Sequence, residues 1–251
     1  MKQNEVVTWV THAAVFLDRN RRAVLLGGGA IALIAIGAAG WSAWSTRGST
    51  QASEMLAKAI AVMNAPVVPP APADDGDEAT PAVETRPAAV TPPPGTYASE
   101  RERLEAALPT FLDAAAVPAS GQAGVSAAYH AAAVLGELGR FDEASVHYRR
   151  VREEAGAGLY AEMARLGLAE VAARQGDYEA AIQTWTDVSA GPAGVVPVDG
   201  ALMKLGESYA MAGRPAEALE TFHRIVDDHP ESQYATPARD EIAKLERVTP
   251  R

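Results

Sequence analysis

The sequence predicts an all-α protein. One long apolar helix stands near the start, followed by a solenoid of about three to four helix pairs and a capping helix. Three observations predict this. Gly139–Tyr148 reads GRFDEASVHY, Gly176–Trp185 reads GDYEAAIQTW and Gly213–Phe222 reads GRPAEALETF, with the glycines 37 residues apart. A fixed period in that range marks stacked repeats. Ala23–Trp44 is an uncharged, mostly apolar run of 22 residues. Ala, Leu, Val, Glu and Arg dominate and aromatics make up only 6% of the chain, a composition that suits helices better than sheets.

The same numbers exclude several functions. The 251 residues hold no cysteine, so no disulfide framework, cysteine metal site or thiol nucleophile is possible. The net charge of −10 is unevenly placed: residues 1–22 carry four basic and two acidic side chains, leaving the remainder at −12. Phosphate binding by a nucleic-acid partner needs clustered Lys and Arg, so nucleic acid is not expected.

The elements follow in order. In residues 1–22, Val6, Trp9, Val10, Ala13, Phe16 and Leu17 recur at helical spacing. They form either an amphipathic helix on the inner membrane surface or a plain cytoplasmic extension of the next element. Residues 23–44 are expected to be a transmembrane helix, since 22 residues at about 1.5 Å each span roughly the 30 Å of hydrocarbon. The run is longer and starts later than a cleaved signal's core of about 7–15 residues. Trp41 and Trp44 sit at its far end, where indoles favour the interface. The basic flank lies before the span, which puts the N-terminus in the cytoplasm and the bulk outside. Ala35, Ala39 and Ala43 recur every four residues and form a candidate helix-packing seam. Residues 45–64 continue the helix. Residues 65–97 form a Pro-rich acidic linker or insertion that cannot build a core. Residues 98–251 hold the repeats.

Each repeat places a small residue one helical turn before a ring: Ala144 before Tyr148, Ala181 before Trp185, Ala218 before Phe222. Small then large on one face lets a neighbouring helix approach while the ring fills the gap. The glycine before each pair ends one helix and turns into the next. The third copy adds Leu202, Leu205-Gly206, Tyr209 and Pro230, which are expected to join the same repeat core. These residues resemble the tetratricopeptide repeat, whose usual length is about 34 residues. Thirty-seven residues before Ala144 stands Ala107, followed by Phe111, so Glu100–Ala116 is expected to be the second helix of a further unit, kinked or split at Pro109. Gln51–Met63 would supply its first helix, making the linker an insertion within that repeat. Gln233–Arg247 carries one apolar stripe and suits a capping helix.

Such stacks present a concave surface lined by first helices. Tyr129, Met163, Leu166, Glu170, Met203, Glu207 and Met211 are the candidate groove residues; the alternative is that the Met and Leu side chains pack between repeats. A soft surface of this kind would hold an apolar or partly unfolded protein segment. No catalytic residues, cofactor site or small-molecule substrate is expected. His223, Asp227 and His229 form the best metal-like group, but His229 falls at a helix end and no third strong ligand is assured, so no metal is expected either.

The FLDRNRR start, single span, ASERERLEAAL helix and LGRFDEA turn together resemble the YfgM-like family. That resemblance implies an ancillary partner of the SecYEG translocon in the bacterial inner membrane, with its repeat domain in the periplasm and linked to chaperones there. The expected function is a membrane-anchored adaptor whose partners are translocon subunits, chaperones or unfolded secreted chains, and whose one span contacts the lipid bilayer. The alternative is a scaffold for envelope assembly or cell division.

Overall fold

The computed structural model describes residues 21–69, 93–191 and 195–248, with side chains from Ile36 onward. The expected amphipathic stretch Val6–Leu17 and most of the Pro-rich linker lie outside the described residues. So does the side chain of Ala35.

The described helices are α1 (Arg21–Met63), α2 (Glu100–Ala116), α3 (Gly121–Glu137), α4 (Phe141–Ala155), α5 (Leu159–Arg174), α6 (Tyr178–Ala190), α7 (Val198–Met211), α8 (Pro215–Asp228) and α9 (Ala235–Val248). Only an isolated parallel bridge, Val67 to Tyr97, represents β structure among the described residues. From Ile36 onward, where side chains are described, no helix is long and apolar enough to cross a membrane.

α1 runs unbroken for 43 residues, through a polar stretch that is poor in helix formers. Its hydroxyls bond back onto the helix carbonyls: Thr46 donates to Ser42 O at 2.8 Å, Thr50 to Thr46 O at 2.9 Å and Ser53 to Ser49 O at 2.7 Å. The polar side chains are thereby satisfied without leaving the helix. Ile36, Trp41 and Trp44 are exposed, whereas Gly48, Ala52 and Ala59 are buried. The helix therefore joins the stack at Gly48. Met55, Leu56, Val62 and Met63 pack with Leu104, Ala107, Leu108 and Phe111 of α2.

The two ends of the 65–97 segment meet. Val68 N donates to Tyr97 O at 2.8 Å, and Tyr97 N donates to Pro66 O at 3.1 Å. Arg103 Nη1 donates to Ala65 O at 3.1 Å, so early α2 stands beside the end of α1. Gly48 at the other end abuts the Pro118 and Ala119 carbonyls. The pair is antiparallel. Ser99 caps α2, accepting from Glu102 N, while Glu102 accepts from Ala98 N. This differs from a capping box only in that Glu102 reaches the residue before the cap rather than the cap's own N–H.

Pro109 was expected to kink or split α2, and the structure corrects the splitting: α2 is one element with Pro109 inside. Pro109 is exposed, while Leu104, Leu108 and Phe111 on the opposite face are buried between α1 and α3. Packing on that face holds both halves in line. The proline still removes one backbone bond. Pro109→Ala is expected to raise stability by roughly 1–3 kcal/mol. Urea unfolding monitored by circular dichroism measures this; an unchanged midpoint would mean that proline costs nothing here.

The repeat turns share one geometry. Gly139, Gly176 and Gly213 have φ of 77°, 85° and 72°, a conformation open to glycine and costly for other residues. The next backbone N–H closes each helix end: Arg140 donates to Leu135 O at 2.8 Å, Asp177 to Ala172 O at 2.9 Å and Arg214 to Tyr209 O at 2.9 Å.

Core residues fall into three successive clusters along the stack. Phe111, Leu135, Tyr148 and Val151 belong to the first part, Ala181, Ile182 and Trp185 to the second, and Leu202, Phe222 and Ile225 to the third. Ala238 and Ile242 of α9 close the last part, with Leu245 partly buried beside them. First helices of neighbouring pairs touch, α1 with α3 and α3 with α5, whereas no comparable contact links α2 with α4 or α4 with α6. The stack therefore curves with the first helices on its inner side.

Candidate protein-interaction groove

The inner side is built from α3, α5 and α7. Tyr129 on α3 is half-buried in an aromatic group, with ring centroids 5.6 Å from Tyr160 of α5 and 5.8 Å from Tyr148 of α4. The Ser126 and Tyr160 hydroxyls share a hydrogen bond of 2.7 Å, tying α3 to α5. Burial, followed by the neighbouring Tyr160, raises the Tyr129 pKa, and burial raises that of Tyr148 further. Both phenols stay neutral; Tyr148 is buried in the core, and the half-buried Tyr129 is the one on the inner side.

Further along, Lys204 of α7 lies 3.4 Å from Glu170 of α5 and 3.2 Å from Glu207. Glu170 also lies 3.5 Å from Arg174. Burial lowers the Lys204 pKa, but Glu207 and Glu170 outweigh it and the net shift is upward, so this lysine remains charged. Next to it a cleft of about 410 Å³ is lined by Trp185, Val196, Met203, Glu207, Tyr234 and Pro237 among others. The site joins an apolar pocket to a row of charges. It can seat an apolar side chain and hydrogen-bond the backbone around it.

The candidate residues separate. Tyr129, Met163, Glu170 and Glu207 are half-buried, and Met211 is exposed. Leu166 and Met203 are corrections: they are buried, at 9% and 7% exposure, among core residues of neighbouring helices. Crowding by α6 on Leu166 and by α8 and α9 on Met203 claims these side chains, although Met203 keeps an edge on the cleft. Of the repeat residues, Ala107, Phe111, Ala144, Tyr148, Ala181, Trp185, Leu205, Gly206, Ala218 and Phe222 are buried. Tyr209 is half-buried, with the Arg214 guanidinium 4.7 Å above its ring. Pro230 is exposed, which corrects its assignment to the core; it follows the α8 cap at His229 and stops the helix instead.

Sequence reasoning missed Lys204, because a lysine between two core positions looks like a solvated one. It also missed Gly167. A Cβ there would meet the Tyr148 ring, standing 2.6 Å from Cε1, so α5 presses directly on the preceding aromatic. That glycine lies two residues off the 37-residue register, where no repeat pattern points to it.

No group of His, Asp and Glu among the described residues could hold a metal ion. His130 stacks on Phe111 at 5.4 Å, and burial lowers its pKa. Burial, and then Arg150, lower that of His147. The unfolded chain therefore binds protons more readily than the folded one as pH falls below the ordinary histidine value of 6.5. The stability these neutral imidazoles contribute is complete above pH 6.5 and is lost as pH drops through their lowered folded values. Melting temperature is expected to fall from pH 7.5 toward about pH 5.5, and the fall should shrink in His130→Gln/His147→Gln. A parallel decline in the double variant would refute the assignment.

Residues 15–192 match the family described as a tetratricopeptide repeat-like domain, and residues 200–232 match a tetratricopeptide repeat. Two crystal structures from Podosopora anserina, described as a "putative kinesin light chain nearly identical TPR-like repeats", superpose with TM-scores of 0.51 and 0.50. The first is a glutamine-to-methionine variant of the second. Each is 14% identical, and the alignment covers 58% of this chain and 78% of that one. At that identity the likeness concerns the fold. No match is found among curated proteins.

Proposed function

We propose, given that the chain belongs to the tetratricopeptide repeat-like domain family, that it is a membrane-tethered adaptor holding a protein segment against the inner side of its stack. The observation that carries this reading is the charge row Glu170, Lys204 and Glu207 beside the cleft lined by Trp185, Met203 and Tyr234. Its mixture of apolar wall and flanking charge suits an extended or partly unfolded polypeptide rather than a compact small molecule. Stacked repeats of this class serve as scaffolds, and no reaction is proposed for them.

The tether is the apolar run Ala23–Trp44 within α1. Exposure of Ile36, Trp41 and Trp44 on a helix that packs on the stack from Gly48 onward supports a bilayer around the earlier part. The basic residues before the run favour a cytoplasmic N-terminus and a periplasmic repeat domain in a bacterial inner membrane. Resemblance to the YfgM-like family supports the Sec translocon and periplasmic chaperones as partners.

Photo-crosslinkers at Met163 and Met211, and at Ala35 in the apolar run, test this in native membranes. Translocon subunits captured at Ala35, with secreted chains or chaperones at the methionines, are expected. Envelope-assembly or division proteins at the methionines, with only lipid at Ala35, would replace the adaptor by a scaffold.

A further inference from the structure

We infer that a basic cleft at the loop between α4 and α5 docks on anionic phospholipid headgroups, holding the repeat stack against the membrane that α1 enters. This rests on the tethered reading above.

Position carries it first. Gly48, where α1 joins the stack, abuts Pro118 and Ala119 at the end of α2. Arg150 Nη2 donates to Ala115 O at 2.9 Å, which brings the end of α4 level with the end of α2. The α4–α5 loop therefore lies at the same end of the stack as the exposed part of α1. Trp44 precedes Gly48 by one helical turn, about 6 Å of rise. The headgroup layer of one leaflet is roughly 5–8 Å deep. With Trp41 and Trp44 at the interface, this end of the stack is within reach of headgroups, while the turns at Gly139, Gly176 and Gly213 are at the far end.

The chemistry fits as well. The cleft, about 580 Å³, is lined by Arg149, Arg152 and Arg165, by Glu153 and Glu162, and by the small residues of the loop. Arg165 is bound to Glu162 at 2.5 Å. Arg149 and Arg152 enter no ion pair among the described residues. Both are exposed. A guanidinium fork matches a phosphate oxygen pair and is weakly hydrated. Gly156 and Gly158 leave the loop without side chains, so a headgroup can approach the backbone. Leu159 at the lip is 61% exposed, an apolar side chain that nothing in the stack covers. Paired arginines beside one exposed leucine are the combination that favours the boundary between headgroups and acyl chains. They stand out because the chain beyond the first 22 residues carries −12.

The chain has no cysteine, so Ala157→Cys places one fluorophore in the loop and Glu179→Cys one at the opposite end. The full chain would be reconstituted in nanodiscs of phosphatidylglycerol or of phosphatidylcholine, each with a trace of headgroup-nitroxide lipid. Quenching is expected to be strong at position 157 in anionic discs and weak at 179. Each basic residue near an anionic surface changes binding by about fivefold, so Arg149→Gln/Arg152→Gln should lower the docked-to-undocked ratio about thirtyfold. Equal quenching at the two labels, or quenching that ignores both lipid charge and the arginine substitutions, overturns the inference while the tether stands. Release of the chain from membranes by alkaline extraction sinks the tether, and the inference with it.

Discussion

Phe222→Ala is expected to lower the folding free energy by about 3–5 kcal/mol, the largest loss from any single side chain of the last repeat. Phe222 is completely buried, with Leu202, Met203, Ala218 and Ile225 in the same cluster. Its ring lies flat against the backbone of α7 because position 206 is glycine. A Cβ at Gly206 would stand 2.8 Å from both Cδ1 and Cζ of that ring. Gly206→Ala should therefore destabilise. About 1 kcal/mol of improved helix propensity is outweighed by an overpacking cost of roughly 1–3 kcal/mol. Combining Gly206→Ala with Phe222→Leu opens room for the methyl group, so the two changes should cost less together than the sum of their separate effects. Urea unfolding of the four proteins measures the coupling. Hydrogen exchange should show α8 and α9 losing protection before α2 and α3, since each repeat is held mainly by its neighbours. Strict additivity, or a more stable Gly206→Ala, would contradict the contact.

Gly48→Leu is expected to detach α1 from the stack. Here the obstacle is not a ring that can tilt but the carbonyl oxygens of Pro118 and Ala119, the latter 3.0 Å from the Cβ position. Backbone cannot step aside, so the helix must. Overpacking alone costs about 1–3 kcal/mol, and withdrawal of Met55, Leu56 and Ala59 from the first part of the core adds to it. Arg47 and Lys58 are exposed on this helix. Trypsin should cut there faster in the variant, while α5–α9 keep their protection. Cleavage at the native rate would show that α1 does not depend on this contact. The result bears on the proposed function, because Gly48 is where the exposed part of α1 becomes part of the repeat stack.

The repeat itself is determined locally. A small residue one turn before an aromatic, a glycine ahead of the pair and a fixed 37-residue interval require only helix geometry and a glycine that tolerates positive φ. Ala144, Ala181 and Ala218 are fully buried for that reason, and their rings lie beside them. The apolar run, its tryptophans and its basic flank are likewise properties of composition along the chain.

What only the tertiary structure decided is which side chains remain available once helices from distant parts of the sequence meet. Leu166 and Met203 occupy helix faces that look like groove, yet neighbouring helices cover them. Lys204 reads as a solvated lysine until α5 brings Glu170 to within 3.4 Å. Pro109 reads as a break until packing on the opposite face of α2 holds the helix in line. Gly48 and Gly167 read as weak helix positions until a loop and a ring are placed against them. Periodicity records what each helix must bury, but the partner that buries it comes from another segment, and its distance is set only when the stack closes.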